Sequence, residues 1–125
     1  MILFDTHAIL WYALKPDLLS RDFSRHLKAN DKIAISSISA WEIALKEQKG
    51  KLFLGMKIEA FFHSLRAAGI EIINPTIEVW IKSVKLPWKN PDPADRVIVA
   101  TAMINHFSLL SKDREIKKFY AKTVW

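Results

Sequence analysis

The sequence predicts an α/β domain with a central parallel sheet covered by helices on both faces. Three observations carry the prediction. Apolar runs of four or five residues alternate with longer amphipathic stretches along the whole chain. The runs are continuous rather than alternating, as in strands buried on both faces. The stretches between them are long enough for the helical crossovers that parallel strands need. With 125 residues, half of them hydrophobic, residues 1–125 form a single domain with one core, free of repeats, low-complexity segments or linkers.

Each element has a local reason. MILF (1–4) reads as a buried strand ending at Asp5, and THAILWYAL (6–14) as a helix that stops before Lys15 and Pro16, since a residue preceding proline avoids the helical region. LSRDFSRHLKAN (19–30) is a second amphipathic helix with Ser20 as its cap. KIAIS (32–36) is the next strand; Ser36, Ser37 and Ser39 are cap candidates for the helix AWEIALKEQK (40–49), which Gly50 ends. IEAFFHSLRAAG (58–69) is a helix with a glycine stop, and IEII (70–73) a strand ending before Asn74 and Pro75. TIEVWIKSV (76–84) is a short helix, and LPWKNPDP (86–93), with three prolines in eight residues, a loop. ADRVIVATAMINH (94–106) is helical, FSLLS (107–111) is the fourth strand, DREIKKFYA (113–121) starts a helix, and KTVW (122–125) is a last strand.

Composition narrows the function classes. There is no cysteine, which excludes disulfides and thiolate metal sites. The apolar start lacks a basic n-region and carries Asp5 and His7, so it reads as mature structure rather than a signal sequence. The longest nearly unbroken apolar run, Val97 to Ile104, is far short of the roughly 20 residues a membrane span needs. A cytoplasmic protein with no membrane partner is expected. Nineteen Lys and Arg against thirteen Asp and Glu give a net charge of +6, which favours a polyanionic partner, although solvated lysines account equally well for the excess.

In open parallel sheets, ligands bind beyond the carboxyl ends of the strands, where the strand order reverses. Asp5 follows the first strand, Glu42 lies about one turn into the helix after the second, Asp113 follows the fourth, and Asp95 opens the helix leading into the fourth. Singly, each has a structural explanation. Asp92, with Pro93 behind it, fits an N-cap, and Asp95 then stands at a capping-box position. Glu42 stands three residues after Ser39, again the capping-box spacing, and Asp113 is placed to cap the helix it precedes. Asp5, at the end of a buried strand, must cap the next helix or hold something charged. Jointly they demand more. A cap contributes on the order of 1 kcal/mol, whereas two carboxylates about 4 Å apart repel by about 4 kcal/mol at an effective dielectric of about 20. If the four converge, a cation belongs among them, and oxygen ligands without cysteine suit Mg2+ or Mn2+ rather than zinc. Four negative charges would balance two divalent ions, the arrangement that clamps both oxygens of a phosphodiester displacement.

Asp5-Thr6-His7, Trp41-Glu42-Ile43, Asp92-Pro93-Ala94-Asp95-Arg96 before an Ala-Thr-Ala helix, and Ser111-Lys112-Asp113 together resemble a PIN domain, and more narrowly the VapC-type ribonuclease toxins. The resemblance runs the whole chain. It implies a three-layer α/β/α sandwich, Mg2+- or Mn2+-dependent endoribonuclease activity on RNA, a homodimer and inhibition by a cognate antitoxin. Carried over by position, Asp5, Asp95 and Asp113 would hold the metal, Glu42 would complete its shell or orient the attacking water, and Thr6 and Ser111 would steer the carboxylates. Where many relatives have threonine, Ser111 keeps the hydroxyl; where many have a bulky aromatic between the acids of the third group, this chain has Ala94. Arg96 and Trp88 are candidates for substrate contact, Arg96 against a plain solvated role; Trp11, Trp41 and Trp80 read as core.

Rivals from other classes fit less well. A receiver domain should show an acidic pair after the first strand and a phosphoacceptor aspartate after a central one, but Thr6 and His7 follow Asp5 and no aspartate ends IEII. A haloacid-dehalogenase-like phosphatase needs an aspartate where His7 stands. A catalytically silent RNA- or antitoxin-binding module is the remaining alternative, against which all four acids count.

Overall fold

A computed structural model describes residues 1–28 and 31–125, with the backbone alone at 22 and 26–28. Among the described residues, five strands form one sheet: β1 (Ile2–Phe4), β2 (Ile33–Ser36), β3 (Glu71–Ile73), β4 (Ser108–Leu110) and β5 (Thr123–Val124). Their order is β3-β2-β1-β4-β5 and every pairing is parallel. The helices are α1 (Thr6–Leu14), α2 (Arg21–Lys28), α3 (Ile38–Gln48), α4 (Ile58–Ala67), α5 (Ile77–Lys85), α6 (Pro93–Asn105) and α7 (Arg114–Phe119). A 3-10 turn over Pro16–Leu18, absent from the sequence expectation, carries the chain between α1 and α2.

The apolar strand runs are explained by two cores, one on each face of the sheet. Ile2 and Phe4 of β1, with Ile33 and Ile35 of β2, pack against Ile9 of α1 and Phe61 and Leu65 of α4. Leu3, Ala34 and Leu109 point the other way, against Val79 of α5, Val97 and Ile98 of α6 and Ile116 of α7. Successive side chains of a strand alternate between faces, so a strand covered on both sides must be apolar throughout. The edge strand β3 is the contrast: Glu71 is exposed and Ile72 and Ile73 are half-buried. These layers are the three-layer α/β/α sandwich that the sequence resemblance implied.

The caps differ in detail from expectation. Phe23 donates its N–H to Ser20 Oγ at the start of α2, as expected; Ala29 and Asn30, at the expected end of that helix, lie outside the described residues. Helix α3 starts at Ile38, earlier than expected, with Ser37 at its N-cap position but making no side-chain cap bond. Ser36 Oγ accepts from the Ile38 N–H instead, and Ser39 lies inside the helix.

The topology fixes where a site can form. From β1 the chain builds outward to β2 and β3, then crosses to β4 and β5 on the other side of β1. The order reverses between β1 and β4, so the crevice opens beyond the carboxyl ends of those two strands. Phe4 is in register with Leu110, and the Asp5 N–H donates to the Leu110 carbonyl at 3.1 Å. Asp5 and Ser111 therefore leave the sheet side by side.

Candidate active site

A cleft of about 440 Å3 lies at this switch point, lined by Asp5, Thr6, Glu42, Asp92, Asp95 and Asp113 together with His7, Trp11, Lys46 and Lys112. The four acids singled out in the sequence share it, each delivered by a different device. Asp5 is buried and caps α1, accepting from the Ala8 N–H at 2.8 Å. Asp113 caps α7, with Oδ1 accepting from the N–H of Glu115 at 2.8 Å, and its own N–H donates to Ser111 Oγ at 3.1 Å. Capping and cleft-lining are thus done by the same side chains, and the two readings were not exclusive.

Asp95 is positioned by its neighbours. Asp92 caps α6, accepting from the Asp95 N–H at 2.9 Å, with Pro93 in the first turn. The reciprocal half of a capping box is not made: the Asp92 N–H donates to Asn90 Oδ1, and Asn90 Nδ2 donates to Asp95 Oδ2 at 3.1 Å. The Asp95 carboxylate is free to face the cleft. Ala94 is buried in the first turn of α6, where a larger side chain would need room. Glu42 departs from its capping alternative because Ser39 bonds Thr6: the two hydroxyls are 2.9 Å apart in the core. Ser39 was missed as a partner of Thr6, since nothing in the sequence pairs residues 33 positions apart.

The electrostatics of the cleft are those of crowded acids. Burial raises the Asp5 carboxyl above its ordinary value, and the Glu42 charge adds to this, while hydrogen bonds from Ser111 and Ala8 and the nearby His7 pull the other way. Burial also raises Asp95, and the charges of Asp92, Glu42 and Asp113 add to it, against the Asn90 hydrogen bond; its carboxyl is pushed up to about 7. Both shifts come first from burial, with neighbouring carboxylates adding to it. The donors are carboxylate and hydroxyl oxygens, the chemistry of a hard divalent cation. Among the described residues no group of three or more Asp, Glu or His side chains is already gathered to hold a metal ion, so seating one requires carboxylates to turn inward.

Arg96 and Trp88, the candidates for substrate contact, are not among the residues lining this cleft, and both make structural contacts; nor is Arg96 the plain solvated side chain of the alternative reading. All five N–H groups of Arg96 are used: Nε donates to the Ser83 carbonyl, one terminal nitrogen to those of Trp88 and Asn90, and the other to those of Val84 and Leu86. The guanidinium collects the last carbonyls of α5 and fixes the loop that delivers Asp95. Trp88 stacks on Phe119, with ring centroids 5.0 Å apart and planes 9° from parallel. Trp11, read as core, instead lines the cleft; Lys112 Nζ sits 5.2 Å from its ring centroid. Lys46 was also passed over, although it follows Glu42 by four residues and so shares its face of α3. No described helix is long and apolar enough to cross a membrane.

A PIN-domain family model matches residues 2–122. The chain is 31% identical over 117 residues to Ribonuclease VapC22 of Mycobacterium tuberculosis (strain ATCC 25618 / H37Rv), a match covering 93% of this chain and 89% of that protein. Among solved structures it resembles a toxin-antitoxin complex from Klebsiella pneumoniae, with a TM-score of 0.67 and 22% identity over 100% of this chain and 97% of that chain. It also resembles FitAcB from Neisseria gonorrhoeae, with a TM-score of 0.61 and 20% identity over 98% of this chain and 93% of that chain. At such identities the two structures speak for the fold.

Proposed function

Because the chain belongs to the PIN-domain family, among its VapC-type members, we propose that it is a Mg2+- or Mn2+-dependent endoribonuclease and the toxin of a toxin-antitoxin pair. The observation that carries this reading is the crowding of Asp5, Glu42, Asp95 and Asp113 in one cleft, with the Asp5 and Asp95 carboxyls raised by burial and by neighbouring carboxylates. Such a cleft is poised to take up positive charge.

Asp5, Asp95 and Asp113 are the candidates to hold the ion, and Glu42 to complete its shell or orient the attacking water. When bound, a divalent ion offsets negative charge on the scissile phosphate and makes water a better nucleophile. The chain's own part is positioning. Ser111 Oγ receives the Asp113 N–H, and the same side chain lowers the Asp5 carboxyl against its burial, so one hydroxyl bears on two of the acids. Thr6, locked to Ser39, holds the first turn of α1 beside Asp5. Asn90 and Asp92 aim Asp95.

An antitoxin partner is supported by the solved toxin-antitoxin relative. A homodimer is supported by the exposed apolar row Ile77, Trp80, Ile81 and Val84 on α5, which offers an association face. The test of the activity is incubation of the pure, antitoxin-free protein with RNA, with and without Mg2+ or Mn2+, and mapping of the cut ends. Internal cuts only when the ion is present are expected; intact RNA under every ion overturns the enzyme in favour of a silent binding module.

A further inference from the structure

Two small depressions adjoin the acidic cleft, and Lys46 lines all three. The first, about 210 Å3, is shared with the cleft through His7 and Trp11 and continues to Lys15 and Lys51. The second, about 200 Å3, is shared through Glu42 and Asp92 and continues to Trp41, Lys49 and Lys51. Each depression therefore combines an indole with lysines, Lys46 and Lys51 being common to both, and the second also holds Glu42 and Asp92, which it shares with the cleft.

Helix periodicity builds both depressions. Positions four apart share a helix face, so α1 presents His7 and Trp11 in one row, followed by Lys15 just past its end. On α3, Glu42 and Lys46 form a row toward the cleft, and Trp41, Leu45 and Lys49 form the row beside it. Gly50, with φ of +69°, turns the chain so that the Lys51 N–H bonds the Lys46 carbonyl at 2.9 Å, bringing Lys51 back to both depressions. Neither indole is consumed by packing. Trp41 is 48% exposed. Trp11 is half-buried, meeting Trp125 edge-on at 66° and Lys112 as a cation over its ring, with no parallel partner of the kind Trp88 has in Phe119.

We propose that these depressions are two nucleotide subsites adjoining the acidic cleft, with Trp11 and Trp41 stacking bases and Lys46 and Lys51, common to both, holding the backbone that joins them. This rests on the endoribonuclease reading of the cleft and goes beyond it by assigning the side chains of this chain that hold the bases and the backbone next to the cut. Every base offers a π-face to an indole only when it is unstacked from its neighbours, which a duplex does not allow. Lysines flanking the acids also answer a problem the cleft poses: a polyanion must approach five carboxylates, and the cations beside them supply the attraction.

The test separates binding from cleavage. The full chain is titrated in EDTA with a fluorescently labelled, unstructured RNA oligonucleotide and read by anisotropy, with circular dichroism as the check on folding. W11A and W41A each raise Kd by about tenfold, the scale of one base stack, whereas W11F and W41F keep most of the affinity. K46Q weakens binding and lowers the slope of log Kd against log salt by about one contact. A duplex of the same length binds more weakly than the single strand. Unchanged Kd in both alanine variants, equal losses in the phenylalanine and alanine variants, or a duplex held as tightly as the single strand overturns the subsites. If the protein binds with this pattern yet never cuts RNA with Mn2+ or Mg2+, the subsites stand and the catalytic reading falls.

Discussion

The carboxylate of Asp92 accepts from the backbone N–H of Asp95 at 2.9 Å, so the residue that starts α6 also sets the aim of the acid one turn on. The same residue is the largest charge effect on Asp95, whose carboxyl stands at about 7 chiefly through burial. Geometry and electrostatics thus act through one side chain and can be separated by substitution. Asp92→Ala removes the cap and is expected to cost about 1 kcal/mol, seen as a fall of a few degrees in Tm. Asp92→Asn keeps a capping oxygen but removes the charge, so it should leave Tm nearly unchanged while moving the acidic limb of the pH-rate profile to lower pH. An unmoved limb in Asp92→Asn would remove Asp92 from the control of Asp95.

Asp5→Asn and Asp95→Asn are expected to reduce ion-dependent RNA cleavage by more than about 100-fold, since substitutions even of residues behind metal ligands cost about 10- to 100-fold. Folding should survive. Asparagine at position 5 can still accept the Ala8 N–H as an N-cap, and either change removes a carboxylate whose burial opposes its charge. Wild-type cleavage by either variant would refute the ligand assignment.

Stability of the ion-free protein should fall as pH rises from about 4 to 7. The sign follows from linkage. The Asp95 carboxyl is raised from 3.8 to about 7 on folding, so across that window the folded state binds more protons than the unfolded one, and the stability present at low pH is lost as pH climbs through 7. Asp5 is raised as well and adds in the same direction. In EDTA, Tm should therefore decline from pH 5 to pH 8, less steeply in Asp95→Asn, and Mn2+ should restore more of it at pH 8, where the carboxylates are ionised and free to bind. A wild-type Tm that rises over this range in EDTA would contradict the assignment.

The fold was legible because local physics and tertiary demand agree in it. MILF, the central IAI of KIAIS and the LL of FSLLS are apolar because both faces of β1, β2 and β4 are covered. The four acids were legible because each follows or precedes a strand end, where topology permits a site. What the sequence hides is the division of labour among partners far apart in it. Capping and chemistry looked like alternatives for Asp5 and Asp113, yet one carboxylate oxygen can cap a helix while the group still lines a cleft. The apolar run THAILWYAL gave no sign of which side of α1 overlooks the crevice, so Trp11 read as core. Trp88 is the converse case: a proline-rich loop suggested an open ring, and the fold stacks it on Phe119, half-buried.

Arg96→Ala is expected to cost about 3 kcal/mol or more, well above an exposed arginine, because hydrogen bonds to charged groups contribute about 1.5–3 kcal/mol and this guanidinium makes five to backbone carbonyls. Arg96→Lys should recover little, since an ammonium has three donors on a single nitrogen and does not span carbonyls from Ser83 to Asn90. Both changes loosen the loop carrying Asn90 and Asp92, so activity should fall through the aim of Asp95, as a lower kcat, while KM for RNA stays near that of the wild type. A phosphate-binding arginine makes the opposite pattern, a raised KM with stability intact. Chemical denaturation together with steady-state cleavage on one short RNA decides between them.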